Sequence, residues 1–158
     1  MMRSSLVKPI IYLVALLLPF GITPAAWAGA AEEVAAIGQQ RGAAFEKGDI
    51  DAYMVAFADN AVFTPATQPF RLEGKPAIKE YFTTFFQTYP TRHGVGRQNS
   101  TRLYANDTVV VSNGYIVLTL TDKSGTVSVY HLRSSTTWVK MGNEWQTVDG
   151  HNSRMPIP

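Results

Sequence analysis

Residues 126–152 read TVSVYHLRSSTTWVKMGNEWQTVDGHN, and this stretch decides the fold. Both of its halves are rich in Val, Thr, Tyr and Trp, which favour β-strands, and the turn-prone Met141-Gly142-Asn143 separates them. The alternation of apolar and polar residues on each side of that turn predicts an antiparallel hairpin with strands over 126–140 and 144–152. The C-terminal part of the chain is therefore expected to form a β-sheet.

The same pattern extends upstream from this hairpin. Two further strands are predicted over 93–104 and 108–121, with Asn106-Asp107 as the turn between them, and Lys123-Ser124-Gly125 leads into the hairpin. Consecutive strands joined by short turns pair in an antiparallel meander. The chain beyond Pro90 is therefore expected to be one sheet of four long strands.

The preceding part of the chain has apolar residues at helical spacing instead. A first helix is predicted from Glu32 to Gly48, a residue type suited to a helix C-terminus. Asp49 is placed to cap a short second helix, whose apolar stripe runs from Ile50 to Phe57. Two of the expected helices thus lie next to each other in the sequence.

A brief strand and a third helix complete the region before the sheet. The strand is expected over 61–64, where Pro65 stops it, and Pro76 occupies the favoured first position of the helix. Helices first and an antiparallel sheet afterwards predict an α+β fold. In this fold three N-terminal helices pack on one face of a curved, mostly antiparallel sheet.

A removable signal peptide is predicted at the N-terminus. Arg3 and Lys8 give a positive start, and residues 10–18 form an apolar run that is shorter than the roughly 20 residues of a membrane span. Ala26 and Ala28 put small residues at both positions that signal peptidase recognises. An uncleaved N-terminal anchor is the alternative interpretation.

Cleavage after Ala28, or alternatively after Ala30, divides the chain into a signal peptide over 1–28 and a single domain over 29–158. The expected location of the mature protein is the periplasm or the exterior of the cell. A domain of roughly 130 residues buries about two thirds of its unfolded surface, which suffices for one core without cross-links.

Charge and composition exclude several classes of function. Cleavage of the signal peptide removes two of the 14 basic residues and none of the 12 acidic ones, so the mature domain is formally neutral. Its charge therefore gives no reason to expect nucleic acid or a membrane as partner. The absence of cysteine excludes disulfides, thiolate metal sites and cysteine nucleophiles. His93, His131 and His151 fit no compact metal-binding motif, so neither a metal nor another cofactor is expected.

Motifs along the domain resemble the nuclear-transport-factor-two-like superfamily, which includes ketosteroid isomerase-like and SnoaL-like proteins. Residues 57–63 (FADNAVF) and 74–78 (GKPAI) look like its helix-to-strand junction and the start of its third helix. Residues 133–138 (RSSTTW), 142–145 (GNEW) and 148–156 (VDGHNSRMP) are similar in spacing to the closing hairpin of the branch related to the association domain of calcium/calmodulin-dependent protein kinase two. The resemblance implies a cone-shaped fold with a cavity between helices and sheet.

The resemblance does not by itself give a function. The sequence has no counterpart of the ketosteroid isomerase set of a tyrosine, a carboxylic acid donor and a carboxylate base. The positions that match the pocket arginines of the kinase association domain hold Val117, Thr136 and Asn152, so no anion-binding role is carried over. Three functions stay open: binding of a small apolar or amphipathic molecule in the cavity, an enzyme of the SnoaL or isomerase type, and a pure oligomerisation module.

Asp149 and His151 are the candidate catalytic pair. They lie two residues apart on a predicted strand and project from the same face, where the carboxylate can orient the imidazole for proton transfer. The alternative is a pair satisfied by hydrogen bonds within a sheet interface. The candidate ligand-binding residues are aromatic, basic and hydroxyl side chains: Tyr53, Phe63, Tyr81, Tyr115, His131, Arg133, Trp138 and Ser153.

The turn of the last hairpin decides whether Arg133 and His151 meet. A two-residue loop of Met141-Gly142 would put them on opposite faces, whereas a three-residue loop that includes Asn143 would place them directly opposite each other. We expect the three-residue loop, because Asn143 tolerates the left-handed conformation better than Met141 does. Arg133 and His151 would then have Cβ atoms about 5 Å apart.

A second semi-apolar face of the sheet predicts self-association. The valines that alternate on this face are Val109, Val111, Val127 and Val129. Helices that pack on one face of a sheet leave the other face uncovered, and a homodimer is the simplest way to cover it. The identity of the bound small molecule does not follow from the sequence.

Overall fold

The computed structural model describes residues 29–156. The predicted signal peptide over 1–28 and its cleavage site at Ala28 lie outside the described residues and stay predictions. Within the described range, none of the helices has the length and apolar character needed to cross a membrane.

The first two helices begin and end as their terminal residues predict. The helix α1 (Ala30–Lys47) ends at Gly48, which adopts the left-handed conformation with a φ of 76°. The helix α2 (Ile50–Met54) begins after Asp49, whose side chain accepts a hydrogen bond from the Ala52 N–H at 3.0 Å.

The second helix is shorter than predicted, because the strand β1 (Phe57–Thr64) already begins at Phe57. Phe57 has the spacing of a helical residue, but it is buried as the first residue of the strand. The Thr147 N–H donates to the Ala56 carbonyl at 2.7 Å, so pairing with a distant strand fixes this segment. A local spacing pattern does not register such a long-range partner.

The segment between β1 and the third helix contains one element that the sequence did not indicate. The strand β2 (Leu72–Glu73) has only two residues and pairs antiparallel with β1. The helix α3 (Lys75–Thr88) follows, with Pro76 in its first turn as predicted.

Four long strands follow the helices where the alternation predicts them. They are β3 (Thr91–Tyr104), β4 (Val109–Thr121), β5 (Val127–Met141) and β6 (Glu144–Arg154). The strand order of the sheet is β2-β1-β6-β5-β4-β3, and β1 with β6 is its parallel pair. The predicted α+β fold, with helices on a curved and mostly antiparallel sheet, is confirmed.

The last hairpin has neither of the two predicted loops. Met141 pairs with Glu144, so the loop consists of Gly142 and Asn143. Gly142 adopts the positive φ, at 63°, that was expected of Asn143. Because glycine has no Cβ, it reaches this conformation at lower cost than asparagine.

A bulge in β6 then changes the pairing of the candidate residues. Val148 is an extra residue relative to β5, and beyond it Arg133 pairs with Ser153 and His151 with Ser135. The prediction that Arg133 lies directly opposite His151 is wrong, although the two residues share a face and are diagonal neighbours. The bulge reverses which residues of β6 face inwards, from Thr147 before it to Asn152 beyond it, and a strict alternation along the strand does not anticipate that change.

The sheet has two different faces. The inner face points towards the helices and buries side chains of β4 and β5: Val110, Leu120, Leu132 and Trp138. The outer face exposes the alternate residues, and the side chains of Val127 and Val129 are 60% and 54% exposed there. The valine stripe predicted from the sequence therefore lies on the face without helices.

Arg92 joins the C-terminal ends of two helices. It is 5% exposed, and its guanidinium donates hydrogen bonds to the carbonyls of Phe45 in α1 and of Phe86 and Tyr89 at the end of α3, the first two at 2.9 and 3.2 Å. The guanidinium carbon also lies 4.4 Å from the centroid of the Phe86 ring. A positive charge at this place complements the negative ends of both helix dipoles.

Glu33 connects α1 to the last hairpin through hydrogen bonds. Its Oε2 atom accepts hydrogen bonds from Trp145 Nε1 at 2.6 Å and from Lys140 Nζ at 2.9 Å. These two donors favour the ionised carboxylate and hold the pKa of Glu33 below its usual value. Val34, near the start of α1, is thereby held in a buried cluster with Trp138 and Trp145.

Candidate functional site

A cavity of about 790 Å³ lies between the helices and the inner face of the sheet. Seven aromatic side chains line it, six from the helices and β1 and one from β5: Phe45, Tyr53, Phe63, Tyr81, Phe82, Phe85 and Trp138. Polar side chains line it from the sheet: Asn99, Thr101, Ser112, Ser134, Thr136 and Asn152. The cavity is thus amphipathic, with an aromatic wall and a wall of hydroxyl and amide groups.

The aromatic wall is a packed cluster. The ring centroids of Tyr53 and Phe82 are 4.6 Å apart, those of Phe63 and Phe82 are 5.2 Å apart, and Tyr81 stacks on Phe85 at 6.0 Å. Rings at these distances stabilise one another beyond the burial of their area. The wall is therefore held in place before any molecule enters the cavity.

Two phenol groups bring hydrogen-bonding capacity into this wall. Burial raises the pKa of Tyr53 to about 12, so its hydroxyl stays neutral at physiological pH and can donate a hydrogen bond. Burial also raises the pKa of Tyr81, whose hydroxyl lies 2.7 Å from that of Thr67. Neither group is suited to act as a base near neutral pH.

Small residues form part of the wall that α1 contributes. Ala31, Ala35, Gly38 and Gly42 all line the cavity. A Cβ atom placed on Gly38 or on Gly42 would have no neighbouring heavy atom within 4 Å. The small residues of this helix therefore leave the space that the cavity occupies.

The structure divides the predicted site residues between the two faces of the sheet. Tyr53, Phe63, Tyr81 and Trp138 line the cavity. The remaining candidates lie on the outer face by alternation and register: Tyr115, His131, Arg133, Asp149, His151 and Ser153. The two groups do not meet in one site.

Asp149 and His151 share the outer face, and both are exposed. Among the hydrogen bonds and ion pairs of residues 29–156, none involves either side chain. The carboxylate therefore does not orient the imidazole here. Their catalytic role stays a prediction, and it would have to be exercised on the face away from the cavity.

Sequence reasoning missed Arg41, which lines the cavity from α1. It lies four residues after Ile37 and seven after Val34, so it falls on the apolar stripe of the helix. A cation within an apolar stripe is a signal that could have identified this residue. The polar residues Thr136 and Asn152 also line the cavity, although no ligand-binding role was predicted for them.

The sequence profile of the calcium/calmodulin dependent protein kinase II association domain matches residues 30–156. The chain belongs to this family. The resemblance inferred from the hairpin motifs is thereby confirmed. No curated protein matches the chain.

Solved structures share the fold of this association-domain family member. A protein from Xanthomonas campestris assigned to the same family is 27% identical, with a TM-score of 0.74 and coverage of 83% of this chain and 91% of that chain. A nuclear transport factor 2-like protein from Salmonella enterica is 18% identical, with a TM-score of 0.72 and coverage of 81% and 92%. A candidate dehydratase of the same superfamily from Streptomyces avermitilis is 11% identical, with a TM-score of 0.72 and coverage of 81% and 98%. The last two identities are so low that these likenesses concern the fold alone.

Proposed function

We propose that the chain is an exported protein that binds a small amphipathic molecule in its cavity and associates with a second copy through the outer face of its sheet. The lining of the cavity carries this proposal. Seven aromatic rings oppose hydroxyl and amide groups across about 790 Å³, a volume and composition typical of small-molecule sites.

Acid–base catalysis has less support than binding. Glu46 is the carboxylate among the described residues that line the cavity. Its side chain is 42% exposed and lies 2.6 Å from His93 Nδ1, so it is already engaged at the surface. A general base has to reach its substrate within hydrogen-bond distance, and Asp149 and His151 face away from the cavity. An enzyme of the SnoaL or isomerase type is therefore the second candidate.

Self-association has support of a different kind. The valines of the outer face are exposed on β5, and exposed apolar strand surface of this type is commonly covered by a partner. Membership of an association-domain family agrees with this interpretation. A symmetric pair of sheets would bury the same face of both copies.

Native mass spectrometry of the protein purified from the export compartment of its own host tests cavity binding. The wild type is expected to retain a small molecule. The substitution Ser134→Phe fills the cavity from the inner face and should abolish retention, whereas Ser135→Phe places the same ring on the outer face of the same strand and should preserve it.

Each outcome bears on the proposal. Retention by the wild type and by Ser135→Phe, together with loss in Ser134→Phe, supports a ligand in the cavity. Retention that survives Ser134→Phe in a folded protein would place the molecule elsewhere. A wild type without any bound molecule would contradict the proposal.

A further inference from the structure

Arg41 brings a positive charge into the wall of the cavity. Its guanidinium carbon lies 4.9 Å from the centroid of the Trp138 ring, 5.2 Å from that of Phe57 and 5.8 Å from that of Tyr53. A guanidinium near the faces of several rings is attracted by their quadrupoles. Three rings therefore hold this charge at a defined place beside the open space.

Arg41 has more hydrogen-bond donors than partners. Its Nη1 atom donates to Thr147 Oγ1 at 2.9 Å, and a guanidinium has five N–H donors in total. Over residues 29–156, no second acceptor and no carboxylate lies within bonding distance of it. The same part of the chain contains no buried side-chain N or O atom without a partner, so the free donors of Arg41 face accessible space.

The acidic residue of the lining does not neutralise this charge. Glu46 lies five residues further along α1, which is more than one helical turn from Arg41. Its Oε1 atom is engaged by His93 Nδ1 at 2.6 Å and by the Gly94 N–H at 3.4 Å. The cation inside the cavity is thus left to pair with whatever the cavity holds.

We infer that the bound molecule carries a carboxylate that binds Arg41, while its apolar body lies against the aromatic wall. The inference rests on the proposed cavity binding and specifies its ligand class. A molecule that enters the cavity displaces the water around Arg41, and a cation that loses water without gaining an anion is destabilised. A carboxylate restores the lost hydrogen bonds and accepts two from the planar guanidinium fork.

A pair of probes that differ in charge but hardly in shape tests the inference. Titration calorimetry at pH 7 measures the binding of 2-naphthylacetate and 2-naphthylacetamide to the purified protein. The wild type is expected to bind the acid at least about 10-fold more tightly than the amide, as for a charge-assisted pair. Arg41→Gln should reduce the affinity for the acid to that for the amide, and Arg71→Gln, at an exposed position outside the lining of the cavity, should keep the full preference.

A second variant covers the case in which Arg41→Gln does not fold, which circular dichroism reveals. Arg41→Lys retains the charge but lacks the planar fork, so its preference for the acid should be smaller than that of the wild type. An undiminished preference in Arg41→Lys, or any preference in folded Arg41→Gln, would overturn the assignment. Equal binding of both probes by the wild type would overturn the inference and leave cavity binding intact. Binding of neither probe would count against both.

Discussion

Replacement of Arg92 by methionine should strongly destabilise the fold. The substitution keeps an unbranched apolar stem but removes the donors that serve the carbonyls of Phe45, Phe86 and Tyr89. A buried carbonyl that loses its partner costs about 1–3 kcal/mol. Because the Arg92 side chain is shared by the ends of two helices, the losses should sum to about 3–5 kcal/mol of unfolding free energy.

Thermal and urea unfolding followed by circular dichroism measure this effect. A loss of that size should lower Tm by about 10–20 °C in a domain of this length. Arg71→Met is the matched control, because it makes the same chemical change at a position that is 65% exposed and pairs only with Glu73 at the surface, so it should alter stability by no more than about 1 kcal/mol. A difference of less than about 1 kcal/mol between Arg92→Met and the wild type would refute the reasoning that the helix ends depend on this guanidinium.

Three further outcomes are expected. The pKa of Glu33 is lower in the folded than in the unfolded state, so its contribution to stability is present above about pH 4.5 and is lost as the pH falls. Acid should therefore lower the Tm of Glu33→Gln less than that of the wild type. An equal decrease in Tm for both proteins would contradict this. Sedimentation velocity at tens of micromolar protein should show a dimer for the wild type and a monomer for Val129→Glu. The control Val55→Glu should remain a dimer, because Val55 is exposed away from the sheet. A monomeric wild type would exclude the interface. The intact mass of the exported protein should correspond to a start at Gly29 or Ala31, whereas a membrane-bound protein that keeps the leader would refute export.

The elements that the sequence predicted are those whose signals are local. The Asp49 cap, the Gly48 terminus and the position of Pro76 each depend on one residue and its backbone conformation. The strands depend on an alternation that persists over more than ten residues. Neither kind of signal requires knowledge of a distant partner.

The candidate site was only partly predictable, because it depends on which face of the sheet the helices cover. In the unbroken strand β5, Arg133 and Trp138 are five residues apart and must point to opposite faces, so the sequence already excluded one cavity for both. The choice between the faces required the packing of α1 and α3. The bulge at Val148 and the pairing of Phe57 with Thr147 arise from contacts that no local pattern contains.

The glycines of α1 show how the capacity of the cavity can be adjusted. Glycine inside a helix lowers helix stability by about 0.5–1 kcal/mol relative to alanine, and Gly38 and Gly42 are both interior positions that face the open space. Replacement of either glycine by a residue with a larger side chain would stabilise the helix and would at the same time reduce the volume available to a bound molecule. The size of the molecule that this scaffold admits can therefore change through one helix, while the sheet, its register and Arg92 stay as they are.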